Sequence, residues 1–161
     1  MKKIFILSFI LFSANTLFAQ APQIYFELGG PGLASFNFDT RFTKKENGIG
    51  GRVGIGGFSL SYDDFNGGRE RSSVIFIPVG INYLIGKDTK NYFEIGGGVT
   101  PVFTNSTNSD GNFSATFGHV NFGYRLQPQN SGFTFRAFVT PVFGEFGFLP
   151  YYGGVSFGYK F

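Results

Sequence analysis

Between Leu33 and Phe42 the chain shows its clearest alternation, with Phe36, Phe38 and Phe42 on one parity and Ser35, Asn37, Asp39 and Arg41 on the other. At the helical advance of about 100° per residue those phenylalanines would scatter around the cylinder, whereas in a strand they share one side. The stretch is therefore a strand with one apolar and one polar face. Composition widens the point: 24 Phe, 25 Gly, no Trp and 14% charged residues coexist with a mean hydropathy of only +0.05. That combination belongs to a chain apolar at alternate positions, far from ordinary globular usage.

The same pattern recurs about every 17 residues, punctuated by Gly, Asn, Asp, Lys and Pro clusters. It predicts eight strands, at 23–29, 33–42, 49–62, 73–85, 92–103, 113–126, 133–143 and 151–161. In the third, Ile49, Val53 and Ile55 share a parity that Phe58, Leu60 and Tyr62 abandon, and a β-bulge near Gly56-Gly57 is expected to restore the faces. In the fourth, Ile75, Ile77, Val79, Ile81, Tyr83 and Ile85 line one side. The pentapeptide VTPVF occurs at 99–103 and again at 139–143, a weak sign of repeated hairpins.

The chain closes on YYGGVSFGYKF, in which Val155, Phe157, Tyr159 and Phe161 share a face against Gly154, Ser156, Gly158 and Lys160. An aromatic terminal strand left unpaired invites aggregation, and a closed barrel removes that edge. The strand resembles the C-terminal signal by which bacterial outer-membrane barrels are recognised by the assembly machinery. A soluble barrel or sandwich is the competing fold. At the other end, Lys2-Lys3, the apolar run 4–12 and small residues before Ala19 read as a cleavable signal peptide, 1–19, leaving 20–161 as one barrel domain. Cleavage after Ala21 and an uncleaved anchor are the alternatives. The apolar run is far short of the roughly 20 residues a spanning helix needs.

Seven of these strands run to 10 residues or more, with the first shorter at 23–29, and such strands can cross the hydrocarbon at the usual tilt. An even count puts both termini on the periplasmic side, with turns 43–48, 86–91 and 127–132 periplasmic and loops 63–72, 104–112 and 144–150 external. The expected fold is all-β, an eight-stranded antiparallel up-and-down transmembrane barrel.

Three motifs, Glu27-Leu28-Gly29-Gly30, the run from Ile77-Pro78-Val79-Gly80 to Lys87, and Phe93-Glu94-Ile95-Gly96, carry a family resemblance. With the leader and terminal strand, the chain resembles the small, functionally uncharacterised eight-stranded outer-membrane β-barrel proteins of Bacteroidetes-type bacteria. The resemblance implies a fold and an integral outer-membrane location. It brings no activity.

The faces assigned inward hold Glu27, Asp39, Arg41, Arg52, Glu94, Arg125, Arg136 and Lys160, and no charge falls on the apolar faces. Arg or Lys facing lipid at mid-depth costs roughly 2 to 4 kcal/mol, so segregation is expected. These residues read as an internal ion network filling a lumen just wide enough for side chains, with an anion site as the alternative. His119, the only histidine, falls inward beside Asn121. Outer-membrane lipid A deacylases place a His and a Ser two apart on the lipid side, so the likeness fails on residue and on face, and no catalytic residue is assigned. Pro78 and Pro101 remove ladder donors from neighbouring strands; they read as tolerated bulges or strand ends, with a weakened wall giving lateral lipid access as the alternative.

Without cysteine there is no disulfide, thiolate metal site or cysteine nucleophile, and no metal-ligand spacing or cofactor motif appears. The formal charge of +3 falls to about +1 without Lys2 and Lys3, with no basic stripe to suggest nucleic acid. The expected function is a structural or interaction barrel of the envelope, not an enzyme. Its partners are outer-membrane lipids and the barrel-assembly machinery, with no identified small-molecule ligand. A lipid-binding or lipid-modifying barrel and a narrow solute channel are the alternatives.

Overall fold

The computed structural model describes residues 20–43, 45–63, 69–106 and 113–161. The expected signal peptide, 1–19, lies outside the described residues, as do the middles of two expected external loops.

Short strands and long ones together make a closed antiparallel wall of eight staves. Five staves are single strands: β1 (Gln20–Gly29), β2 (Ala34–Arg41), β3 (Gly48–Asp63), β6 (Asn91–Ser106) and β7 (Phe113–Leu126). The other three are pairs of pieces parted near proline. These are β4 (Arg69–Phe76) with β5 (Val79–Ile85), β8 (Gly132–Val139) with β9 (Val142–Gly144), and β10 (Gly147–Leu149) with β11 (Gly153–Lys160). Closure comes from β11, which pairs with β8 on one edge and with β1 on the other, Gln23 opposite Lys160 and Gly29 opposite Gly154. The aromatic terminal strand thus has no free edge, and both ends of the wall meet at one end of the barrel.

Local chemistry sets the connections. The β1–β2 turn runs through the 3-10 segment η1 (Gly30–Gly32), where φ is +77° at Gly29 and +67° at Gly30, a region that glycine enters without steric penalty. Pro141 interrupts the seventh stave, but the same pentapeptide on β6 stays in strand through Pro101.

The parity change on β3 is not a bulge. Its ladder with β4 and β5 keeps one register from Gly48 opposite Leu84 through Val53 opposite Val79 and Gly56 opposite Phe76 to Asp63 opposite Arg69. The ladder with β2 ends at Gly56 opposite Ser35, so the rest of β3 rises above its neighbour on that side.

Burial is inside-out relative to a water-soluble domain. Phe36, Ile55 and Ile81 are 64%, 60% and 59% exposed, while Gln23, Glu27, Asp39, Arg41 and Arg125 are fully buried. The outward residues form an apolar belt, with Phe26 against Phe36 and Phe135 against Phe157 at ring-centroid distances of 5.1 and 5.4 Å. In water so large a contiguous apolar surface would drive association. In hydrocarbon it is the stable face.

Candidate functional site

Alternate positions on each stave deliver polar side chains to the interior, and eight staves bring them within reach across the lumen. Glu27 of β1 accepts from Arg52 Nη2 at 3.0 Å and from Arg136 Nη1 at 3.1 Å. Arg136 of β8 continues to Glu94 of β6, Nε to Oε2 at 2.9 Å and Nη2 to Oε1 at 2.7 Å. Arg125 of β7 donates Nε to Glu94 Oε2 at 2.7 Å and Nη2 to Asp39 Oδ2 at 2.9 Å. Asp39 is also held by Arg41, two residues along β2. The sequence Arg52, Glu27, Arg136, Glu94, Arg125, Asp39, Arg41 therefore alternates in sign from end to end. Stripping water from these ions is expensive, and mutual attraction offsets it only where geometry is good and remaining donors are satisfied. Bidentate arginine supplies that geometry.

Lys160 stands apart from this chain. Its ammonium pairs with Glu46 and donates to the carbonyls of Pro128 and Gln129 at 2.9 and 2.7 Å, clamping the end of the barrel that carries Gln20 and Phe161. Neutral side chains join the two groups: Gln127 receives Arg125 Nη1 at 3.3 Å and donates to Glu46 Oε2 at 3.1 Å. Asn82 Nδ2 reaches Asp39 Oδ2 at 2.5 Å. Sequence reasoning named the ions of the network except Glu46, and it missed Gln127, Gln23 and Asn82. Asn82 and Gln23 carry the inward parity of their strands and could have been found that way. Glu46 sits in a turn, where parity gives no direction.

Further along the barrel the interior becomes neutral. The Thr100 hydroxyl lies 3.3 Å from His119 Nδ1, and Thr140 Oγ1 donates to Asn121 Oδ1 at 2.6 Å. His119 is buried in the lumen, and among the described residues no carboxylate or serine hydrogen-bonds to it. The elements of a nucleophile, base and orienting acid are not assembled there.

Pro78 and Pro101 do not part the wall. Gly54 N–H donates to Pro78 O at 2.8 Å and Ile77 N–H to Pro101 O at 3.0 Å, and the β6 ladder keeps one register from Phe76 opposite Val102 to Val79 opposite Val99. Each proline forfeits one donor while its carbonyl still stitches the neighbour. The two missing donors fall on opposite sides of the β4–β5 stave, so neither seam loses two bonds at this pair.

A closed eight-stave wall, apolar outside and charged inside, defines a transmembrane-type β-barrel. Among solved structures, the N-terminal β-barrel domain of Pseudomonas aeruginosa OprF aligns with a TM-score of 0.61 and 15% identity over 89% of this chain and 99% of that domain. At that identity the shared property is the fold. Ail, the attachment invasion locus protein of Yersinia pestis, aligns at TM-score 0.42 and 12% identity over 88% of this chain and 94% of its own, and its complex with the heparin analogue sucrose octasulfate at 0.46 and 14%. No protein-family model and no curated protein matches the chain.

Proposed function

We propose that the chain is an integral outer-membrane barrel with a closed polar lumen, serving the envelope as a structural or interaction element and catalysing nothing. The observation that carries this reading is the alternating ion chain from Arg52 to Arg41, whose members lie across the interior and are all buried. Eight strands enclose an interior that side chains alone can fill. A solute would have to displace paired ions to pass.

Outer-membrane placement is supported by the apolar belt, by the barrel fold shared with the OprF domain, and by the signal-peptide pattern at 1–19. The termini and the turns at 43–48, 86–91 and 127–132 share one end, which we assign to the periplasm. Val155, Phe157, Tyr159 and Phe161 are then the residues offered to the assembly machinery, and the belt meets outer-membrane lipid.

Conductance in planar bilayers tests the closed lumen. The purified barrel is expected to give a flat trace at moderate voltage. Steady unitary steps from the wild-type protein would overturn the reading in favour of a narrow channel.

A further inference from the structure

At the end of the barrel away from the termini, the interior stops being polar. The positions there that continue the parity carrying ions or amides lower down are Phe58, half-exposed at the rim, and Phe76, Val102, Ala115, Phe117 and Val142. Phe58 and Phe76 stack at 6.3 Å, and Phe146, from the turn between β9 and β10, meets Phe117 edge-on at 6.0 Å. Two hollows of about 240 and 220 Å³ adjoin there and share Phe76, Phe117 and Phe146 as walls. Their one ionisable carboxyl is that of Glu145, exposed at the outer lip.

The wall beside these hollows is notched. Past Gly56, β3 pairs with β4 alone, and β10 pairs with β9 alone. Among the described residues, the barrier between those two edges is the low η1 turn, which with Leu33 lines the second hollow along with Leu149 of β10. Seven further residues of β3, Gly57 to Asp63, rise on the order of 20 Å along the strand above that sill. Leu33 holds a φ of +58°, a strained conformation for a non-glycine residue, and its side chain is partly exposed on the sill. Leu28 and Phe36 of the exposed belt flank the η1 turn on β1 and β2, so the lip of the hollow at Leu33 adjoins the lipid-facing surface.

We propose that this distal vestibule holds a single alkyl chain, entering sideways over the η1 turn from the surrounding leaflet. The inference rests on the membrane reading above, because sideways entry needs lipid beyond the sill. An apolar cavity of about 150 Å³ takes up a benzene-sized molecule, so two adjoining hollows of this volume suit a linear run of methylenes. A polar solute finds few partners on these walls. The vestibule's place beside the belt specifies lipid as the donor of the chain.

The test uses the full barrel in phosphatidylcholine nanodiscs doped with phosphatidylcholine that carries a diazirine at its acyl terminus. After photolysis, adducts are mapped by peptide mass spectrometry. Adducts are expected on Phe76, Phe117 or Phe146 as well as on belt residues such as Ile55 and Ile81. Ala115→Trp, which fills the first hollow, is expected to reduce vestibule adducts about tenfold with belt adducts unchanged. Leu33→Asp, which charges the sill, is expected to do the same while leaving labelling by a water-soluble short alkyl diazirine intact. Belt adducts without vestibule adducts would overturn this proposal alone, as would vestibule labelling by the soluble probe but not by the lipid. Loss of belt adducts as well would overturn the membrane reading beneath it.

Discussion

Arg136 grips Glu94 through two arms of its guanidinium, Nε to Oε2 at 2.9 Å and Nη2 to Oε1 at 2.7 Å, with both side chains buried. Glu94 also receives Arg125, so one carboxylate balances two arginines. Removing one partner of a buried pair leaves an uncompensated charge and typically costs about 3 to 5 kcal/mol. Glu94→Gln is therefore expected to destabilise the folded barrel by about that amount, read as a lower urea midpoint for loss of the compact gel form. Exchanging the whole set for well-packed apolar residues is expected to be far milder, because no ion is left unpaired.

The guanidinium of Arg41 lies over Gly50 on the neighbouring strand, where an added Cβ would come within 2.2 Å of Arg41 Cζ. Glycine there is a requirement of close approach. Overpacking of this kind costs about 1 to 3 kcal/mol. Gly50→Val is expected to lower the unfolding midpoint accordingly, and Gly50→Val with Arg41→Ala to recover less than the full loss, since Asp39 then loses one of its two arginines and the added Cβ still meets the Thr40 carbonyl oxygen at 2.5 Å.

Ile81 faces outward in the middle of its stave, while Ser61 faces outward near the distal end of β3, beyond the ladder with β2. A lysine on the lipid face costs about 2 to 4 kcal/mol at mid-depth and about 0 to 1 near the interface. Ile81→Lys should thus depress folding yield and stability in vesicles strongly, and Ser61→Lys hardly at all. Equal effects would mean that the two positions share one environment.

In the turn between β5 and β6, Asp88 accepts from the Asn91 side chain at 2.7 Å and from the Asn91 N–H at 2.5 Å. These bonds hold its carboxyl below the ordinary aspartate range. A depressed folded-state value means the contribution is fully present above the unfolded pKa and is lost as pH falls through the folded one. Stability measured from neutral to acid should therefore decline more steeply for the wild type than for Asp88→Asn, whose side chain does not titrate.

Strand faces were legible because period two is a local property. Phe36 and Phe38 could be set outward and Asp39 and Arg41 inward from ten residues alone. Depth and partnership were not, since they depend on how far each stave is staggered against the next. Nothing local ties Arg136 to Glu27, 109 residues away. The parity change at Phe58 was visible, but its cause was misread. A bulge keeps apolar groups facing lipid, whereas here the register holds and the interior itself turns apolar once β3 outgrows β2. Pro78 and Pro101 likewise marked missing donors correctly, yet which side each donor would have faced is set by the ladder pairing.

The membrane barrel itself is tested most directly by gel mobility of the protein from fractionated outer membranes, boiled and unboiled in detergent. A closed barrel with its ion-paired interior should migrate as a compact form until boiled, and should be found in the outer-membrane fraction. A soluble periplasmic protein whose mobility ignores boiling would contradict the membrane barrel and leave a secreted β-sandwich or binding barrel in its place.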